Sequence, residues 1–248
     1  MEEHELLRRA EDLRERCERR GILTHTNFLT PAERVQLEAW ARYRTDCRLV
    51  FTGGGEDCER TVGFFLPDYL EEESFDAAGE ICAIRLTAHF GSPGHRDYLG
   101  ALLGMGIGRE WLGDIQIREN VAYVFCLPSV RAHLLSIEKV GRYGVTPEAV
   151  ELRDVPAPKR EVKTLSFSVQ SPRLDAVTAG MFRLSRTEAA RQISAGNVSL
   201  NYQVSLKTDC AAAEGDIVSL RGAGKGKITG IGGTSRKGRI FVYAEIYK

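Results

Sequence analysis

The sequence has no CxxC pair, no long apolar run and no net charge. Each absence removes a class of protein. The six cysteines (Cys17, Cys47, Cys58, Cys82, Cys126 and Cys210) are scattered, so neither a zinc ribbon nor a thioredoxin-like motif has support. The five histidines, His4, His25, His89, His95 and His133, form no ligand spacing, and no metal or other cofactor is expected. The longest apolar stretches, such as Val121–Leu127, are far shorter than the roughly 20 residues of a membrane helix. The opening Met-Glu-Glu-His-Glu is acidic and lacks the apolar core of a signal peptide. A reducing cytoplasm and no membrane partner are the expectation. The run Gly53-Gly54-Gly55 has no Lys-Ser/Thr behind it, which excludes a P-loop and leaves a hairpin loop.

What is present is an ordinary globular composition: 248 residues, 43% hydrophobic and 27% charged. That length suits one or two domains, or three small ones. The zero charge is a cancellation. From Arg160 to Lys248 there are 14 basic and 7 acidic residues, and from Met1 to Lys159 there are 20 basic and 27 acidic. A tail of net +7 behind a front of net −7 points to a polyanion-binding module joined to something else.

The front opens with a helix, with Leu6, Ala10, Leu13 and Cys17 on one face and Gly21 as its stop. Thr30-Pro31-Ala32-Glu33 is a capping box opening a second helix, with Val35, Ala39, Trp40 and Tyr43 as its inward stripe. Strands are expected at Arg48–Phe51 and Thr61–Leu66. The middle reads β-α-β-β-α-β: a strand at Ile81–Phe90, a helix at His95–Ile107, strands at Asp114–Arg118 and Val121–Leu127, a helix capped by Ser129 and ended by Gly141, and a strand within Val145–Asp154. That is the order of a ferredoxin-like or RRM-like unit. Tyr123 and Phe125 share a face and serve either as base-stacking aromatics or as core. His95-Arg96-Asp97 lacks the other parts of a kinase site, so Asp97 reads as a first-turn acid.

The expected fold class is α+β. An N-terminal helical/β region spans 1–76, an RRM-like domain 77–155, a Pro-containing linker 156–161, and a basic domain 162–248. In the basic tail, a strand at Val162–Val169 precedes a short helix after Pro172 that is closed by Gly180. Ser185-Arg186-Thr187-Glu188 is a second capping box, opening a helix with Ala189, Ala190 and Ile193 inward and Gly196 as its stop. Asn197–Val204 then alternates as strands around an Asn turn.

The run Arg173-Leu174-Asp175, Leu184-Ser185-Arg186 with Glu188-Ala189, Ile193 with Gly196, Val198 and Asn201, and Gly215-Asp216 resembles the S4-type RNA-binding domain. His95-Arg96-Asp97-Tyr98-Leu99-Gly100, Gly63-Phe64-Phe65, Lys139-Val140-Gly141 and Gly232-Gly233-Thr234-Ser235-Arg236-Lys237-Gly238-Arg239 are similar to the bacterial YlmH family over essentially the whole chain. The resemblance implies an N-terminal region, an RRM-like domain and an S4 domain. It also implies binding of rRNA and tRNA on a large ribosomal subunit carrying a stalled peptidyl-tRNA, in rescue and quality control, with a link to cell division. The protein is expected to be a monomer off the ribosome. Two departures stand out. The usual Asn-Gly turn is Asn201-Tyr202, for which a differently shaped hairpin is expected, and Phe182-Arg183-Leu184 keeps one basic residue.

Phosphate contacts are expected from Arg173, Arg183, Arg186 and Arg191, because a guanidinium grips phosphate with two bonds. Arg186 also lies in a helix first turn, which already favours anions. Ser185 is either an N-cap or a phosphate donor, and Asn201 either a turn-former or an RNA contact. Lys225, Lys227, Arg236, Lys237 and Arg239 sit in glycine-spaced basic loops. Arg96 and Arg109 offer a secondary contact. The alternatives are an RNA-modifying enzyme, of pseudouridine synthase or methyltransferase type, and a protein-interaction factor in cell division. Arg173-Leu174-Asp175 mimics a pseudouridine synthase motif, but the 73 residues after Asp175 are taken up by the S4-like pattern. A non-catalytic binder is the expectation.

Overall fold

The computed structural model describes residues 3–44, 48–158 and 162–247. Cys47 and residues 159–161 of the expected linker lie outside them. The described chain is mixed α/β, with six α-helices and three antiparallel sheets. It divides into two compact units, Met1–Pro158 and Lys159–Lys248.

In the first unit, α1 (Glu3–Arg20) buries Leu6, Ala10 and Cys17 and stops at Gly21, whose φ of +59° suits a residue without Cβ. β1 (Thr24–Leu29) follows at once. Periodicity assigns no strand there, because six residues squeezed between two helix signals carry little pattern. α2 (Pro31–Ala41) has the expected capping box: Glu33 N–H donates to Thr30 Oγ1 at 3.3 Å, and Thr30 N–H donates to Glu33 Oε2 at 2.8 Å. Its expected inward stripe is corrected. Leu37 is the fully buried residue and Trp40 packs in part, while Ala39 is exposed. Tyr43 lies past the helix end and is 85% exposed, so it never joins the stripe.

β2 (Leu49–Thr52) and β3 (Thr61–Phe65) form a hairpin, and β1 pairs with the other edge of β3. The second sheet is built from β4 (Cys82–Ala88), β5 (Leu112–Arg118), β6 (Val121–Cys126), β7 (Lys139–Val140) and β8 (Tyr143–Val150), in the order β5-β6-β4-β8-β7. α3 (His95–Gly104) and α4 (Pro128–Leu135) cover one face through Tyr98, Leu102 and Leu134, against Ile84, Leu86 and Val124. Asp97 closes the start of α3, accepting from Gly94 N–H at 2.8 Å. α4 begins at Pro128 with Leu127 as its cap, not at Ser129, since proline is already fixed in helical φ at the first position. It ends at Leu135. Gly141 (φ +58°) belongs to the β7–β8 turn instead.

The opposite face of this sheet is covered too. Phe28, Val62 and Phe64 of the smaller sheet pack with Ala83 and Phe125. The β2–β3 loop joins them: a Cβ on Gly55 would lie 2.6 Å from Phe125 Cζ, so only glycine lets this backbone approach the ring.

The second unit is a six-stranded sheet with two helices on one face. Its strands are β9 (Val162–Val169), β10 (Val198–Leu200), β11 (Gln203–Val204), β12 (Ile217–Leu220), β13 (Gly224–Thr234) and β14 (Ile240–Tyr247), ordered β11-β10-β12-β13-β14-β9. The helices α5 (Leu174–Phe182) and α6 (Arg186–Ser194) bury Leu174, Val177, Met181, Ala189 and Ile193. Gly180 does not close α5. It lies inside the helix because Phe167 of β9 passes there, and a Cβ would meet that ring at 2.2 Å. The cap is Arg183, in the left-handed region at φ +56°. The β10–β11 hairpin keeps the usual shape despite its tyrosine. Asn201 and Tyr202 both take positive φ, +49° and +66°, because the twist of the paired strands demands a mirror-image turn. In a tyrosine this conformation costs about 1–2 kcal/mol.

Candidate nucleic-acid interface

Most candidate residues of the second unit fall into two groups, the first of them gathered on a carboxylate. Asp175, in the first turn of α5, has a side chain 9% exposed. Its Oδ2 accepts from Arg186 Nη2 at 2.8 Å across the helix pair, and its Oδ1 lies 3.4 Å from Arg173 Nε. The arginine side chains remain 56% and 41% exposed. Each guanidinium has five N–H donors, so one bond to Asp175 fixes the fork and leaves most donors facing solvent. The result is two oriented cations; Arg186 stands in the first turn of α6, where the helix dipole also favours anions, whereas the first amides of α5 already donate to the carbonyls of Cys210 and Thr208.

Ser185 is the N-cap of α6, accepting from Glu188 N–H at 3.1 Å. The expected capping box is only half formed. Glu188 turns away from the cap to accept from Arg191 at 2.7 and 2.9 Å and from Gln192 at 2.7 Å. Bonds from these two side chains, Arg191 first, pull its carboxyl down to about 2. Arg191 is exposed and Glu188 half-buried, so solvent and salt still screen the pair, and phosphate can compete for Arg191. Arg183, exposed at the cap of α5, completes this helical face.

The second group comes from the β13–β14 turn. Ser235 N–H donates to Arg239 O at 2.8 Å, and Arg239 N–H donates to Ser235 Oγ at 3.1 Å. The Arg239 guanidinium donates to the Ser168 carbonyl on β9. This closure brings Lys237 and Arg239 beside Arg186 around an open groove of about 600 Å³, floored by Phe167, Ala179, Gly180 and Leu184. An apolar floor with a cationic rim accepts a polyanion that also carries flat apolar groups. Arg236 is exposed on the same turn.

Three candidates of this unit lie outside both groups: Lys225, Lys227 and Asn201. Lys225 and Lys227 are on strand β13, not in a loop. Val218 and Gly226 face each other across β12 and β13, and Val218 is core, so the lysines on either side of Gly226 project from the face away from the helices. The Asn201 amide is committed to the fold, donating to Asp216 Oδ1 at 2.8 Å and accepting from Ile217 N–H at 2.9 Å.

In the first unit, Arg96 is exposed in the first turn of α3. Arg109 lies in the 3-10 turn Arg109–Trp111, and its guanidinium donates to the carbonyls of Leu112 at 2.8 Å and Gly113 at 2.9 Å. Burial, and then Arg60, push it down to about 10, so it stays charged at neutral pH as a structural brace. Phe125 is fully buried under the N-terminal strands, which leaves Tyr123 as the partly exposed member of the expected stacking pair. Asp175 and Glu188 orient the arginines, a part that the sequence motifs holding them do not reveal. The only signal for Asp175 was its place between two arginines of the motif.

A family profile described as a putative RNA-binding domain in YlmH matches residues 71–154. A ribosome-associated protein quality control protein P2 from Bacillus subtilis (strain 168) is 33% identical over 224 residues, covering 90% of this chain and 87% of that protein. The chain belongs to the YlmH family. A solved structure, a cell division protein YlmH from Streptococcus pneumoniae, aligns with a TM-score of 0.51 at 19% identity, over 62% of this chain and 94% of that one. That likeness concerns the fold alone. The YlmH profile spans β4 through β8, whereas the arginine cluster and the groove lie outside it, in the second unit.

Proposed function

We propose that this chain is a non-catalytic, ribosome-associated RNA-binding protein of the cytoplasm, monomeric off the ribosome. In this reading residues 77–155 are an RRM-like domain behind an N-terminal region at 1–76. Residues 162–248 are an S4-type domain that contacts rRNA and tRNA of a large subunit carrying a stalled peptidyl-tRNA. The observation that carries it is the convergence of Arg173 and Arg186 on buried Asp175, with Lys237 and Arg239 across the groove. The cationic forks are held before any ligand arrives, which lowers the ordering cost of binding. The name of the Bacillus subtilis relative supports the ribosomal setting, and the profile's description supports RNA as ligand.

Sedimentation with large ribosomal subunits tests the site. Arg186→Ala combined with Arg191→Ala is expected to abolish co-sedimentation, and unchanged co-sedimentation overturns the assignment. The non-catalytic part fails if the purified protein isomerises uridine, or methylates RNA with S-adenosylmethionine.

A further inference from the structure

The helix-free face of the second sheet carries a feature that the groove does not use. Strand alternation places Phe241, Tyr243, Glu245 and Tyr247 of β14 on that face. Their neighbours differ sharply along the strand. Phe241 stands between Ser168 on β9 and Gly232 on β13, and Tyr243 between Ser166 and Gly230. The residues paired with both rings on either flank are glycine or serine; Tyr243 is 48% exposed and Phe241 half-buried. Residues two apart on a strand are separated by about 6.8 Å, so the rings do not stack on each other and each keeps a face for a separate flat partner. Two adjacent aromatics between glycine and serine, one exposed and one half-buried, leave an aromatic patch on the sheet face to which a flat partner can dock.

The surrounding charge names the partner. Arg239 is two residues from Phe241, and its guanidinium reaches the carbonyl of Ser168 at the β9 edge. At the far end Lys225 lies 5.7 Å from the Tyr247 ring, and Lys227 lies opposite Glu245, the one acid of the row, offsetting its charge. Cations at both ends of an aromatic row suit a chain that alternates phosphate with planar bases. The β9 edge is shared with the groove, which Phe167 floors and Ser168 lines. A single strand leaving the groove past Arg239 therefore meets Phe241 and then Tyr243.

We propose that Phe241 and Tyr243 form a base-stacking platform for single-stranded RNA, continuous with the cationic groove. The proposal rests on the reading of this unit as RNA-binding and adds the class of RNA. Binding of a labelled octauridine to the full chain tests it, beside a 12-base-pair RNA duplex. Stacking is sequence-tolerant and strong enough that losing one ring weakens binding roughly tenfold. Tyr243→Ala and Phe241→Leu, which keeps the half-buried apolar volume, are each expected to lose about that factor for octauridine and nothing for the duplex. Tyr243→Phe is expected to bind like the native chain. Unchanged octauridine affinity in Tyr243→Ala and Phe241→Leu, both folded by circular dichroism, overturns the platform and leaves the groove intact. If Arg186→Ala leaves both ligands bound as before, the groove reading fails instead. If the native chain binds neither RNA, both readings fall.

Discussion

At the scale of single residues, the decisive group is an acid. In sequence Asp175 belongs to the Arg173-Leu174-Asp175 motif, and in the fold it occupies the first turn of α5. Its larger part is to hold Arg186 and, more loosely, Arg173, a relation between residues 11 apart that no helical or strand period encodes. Charge counting and geometry then make opposite forecasts for Asp175→Asn. Removing a negative charge from a cationic surface strengthens binding of a polyanion. Removing the oriented acceptor frees the Arg186 fork, which must then be ordered by the ligand at about 0.5–1.5 kcal/mol for a long side chain. The asparagine keeps the volume and one acceptor oxygen, so the fold survives. We expect geometry to prevail, with RNA affinity falling several-fold in a fluorescence anisotropy titration. A rise in affinity shows that Asp175 acts only as a misplaced charge.

At the scale of elements, legibility tracked how local each signal is. Thr30-Pro31-Ala32-Glu33 and Gly21 were readable because caps are satisfied within four residues. The order of strands and helices from β4 to β8 was readable for the same reason. Signals that depend on distant partners were not. Phe125 is buried because the N-terminal hairpin lies on it, and β1 exists because β3 offers an edge. Gly180 is the sharpest case. Sequence makes it a helix stop, whereas the structure makes it a contact point between α5 and β9. Gly180→Ala distinguishes these meanings. An ordinary helical position gains about 1 kcal/mol from alanine. Here the new methyl lies 2.7 Å from Phe167 Cγ, the root of the ring, which cannot move aside by a small rotation. Overpacking of this kind costs about 1–3 kcal/mol, and the close contact puts it at the upper end. The net loss is about 2 kcal/mol, or a fall in Tm of roughly 8–16 °C for a unit of this size. A Tm that rises in thermal unfolding refutes the packing role.

At the scale of the whole molecule, the net charge of zero is the most misleading number in the sequence, because it averages a front of −7 with a tail of +7. The two contributions act over different distances and are separable by salt. Arg186 or Arg239 against a phosphate releases a condensed counterion, so each contact steepens the fall of log K with log salt by roughly 0.7 for a single strand. Glu71, Glu72 and Glu73 are all exposed in the first unit, and charges that touch no ligand act on it through their field, which fades beyond a Debye length of about 8 Å at physiological salt. Arg186→Ala should therefore weaken binding and flatten the salt slope by about one contact. Neutralising the three glutamates to glutamine should raise non-specific RNA affinity in 50 mM salt and leave it unchanged in 500 mM, with no loss of slope. Equal effects at both salt concentrations mean that these acids touch the ligand directly. No effect at 50 mM removes the acidic front from any part in restraining the basic tail, and selectivity must then come from the groove's shape alone.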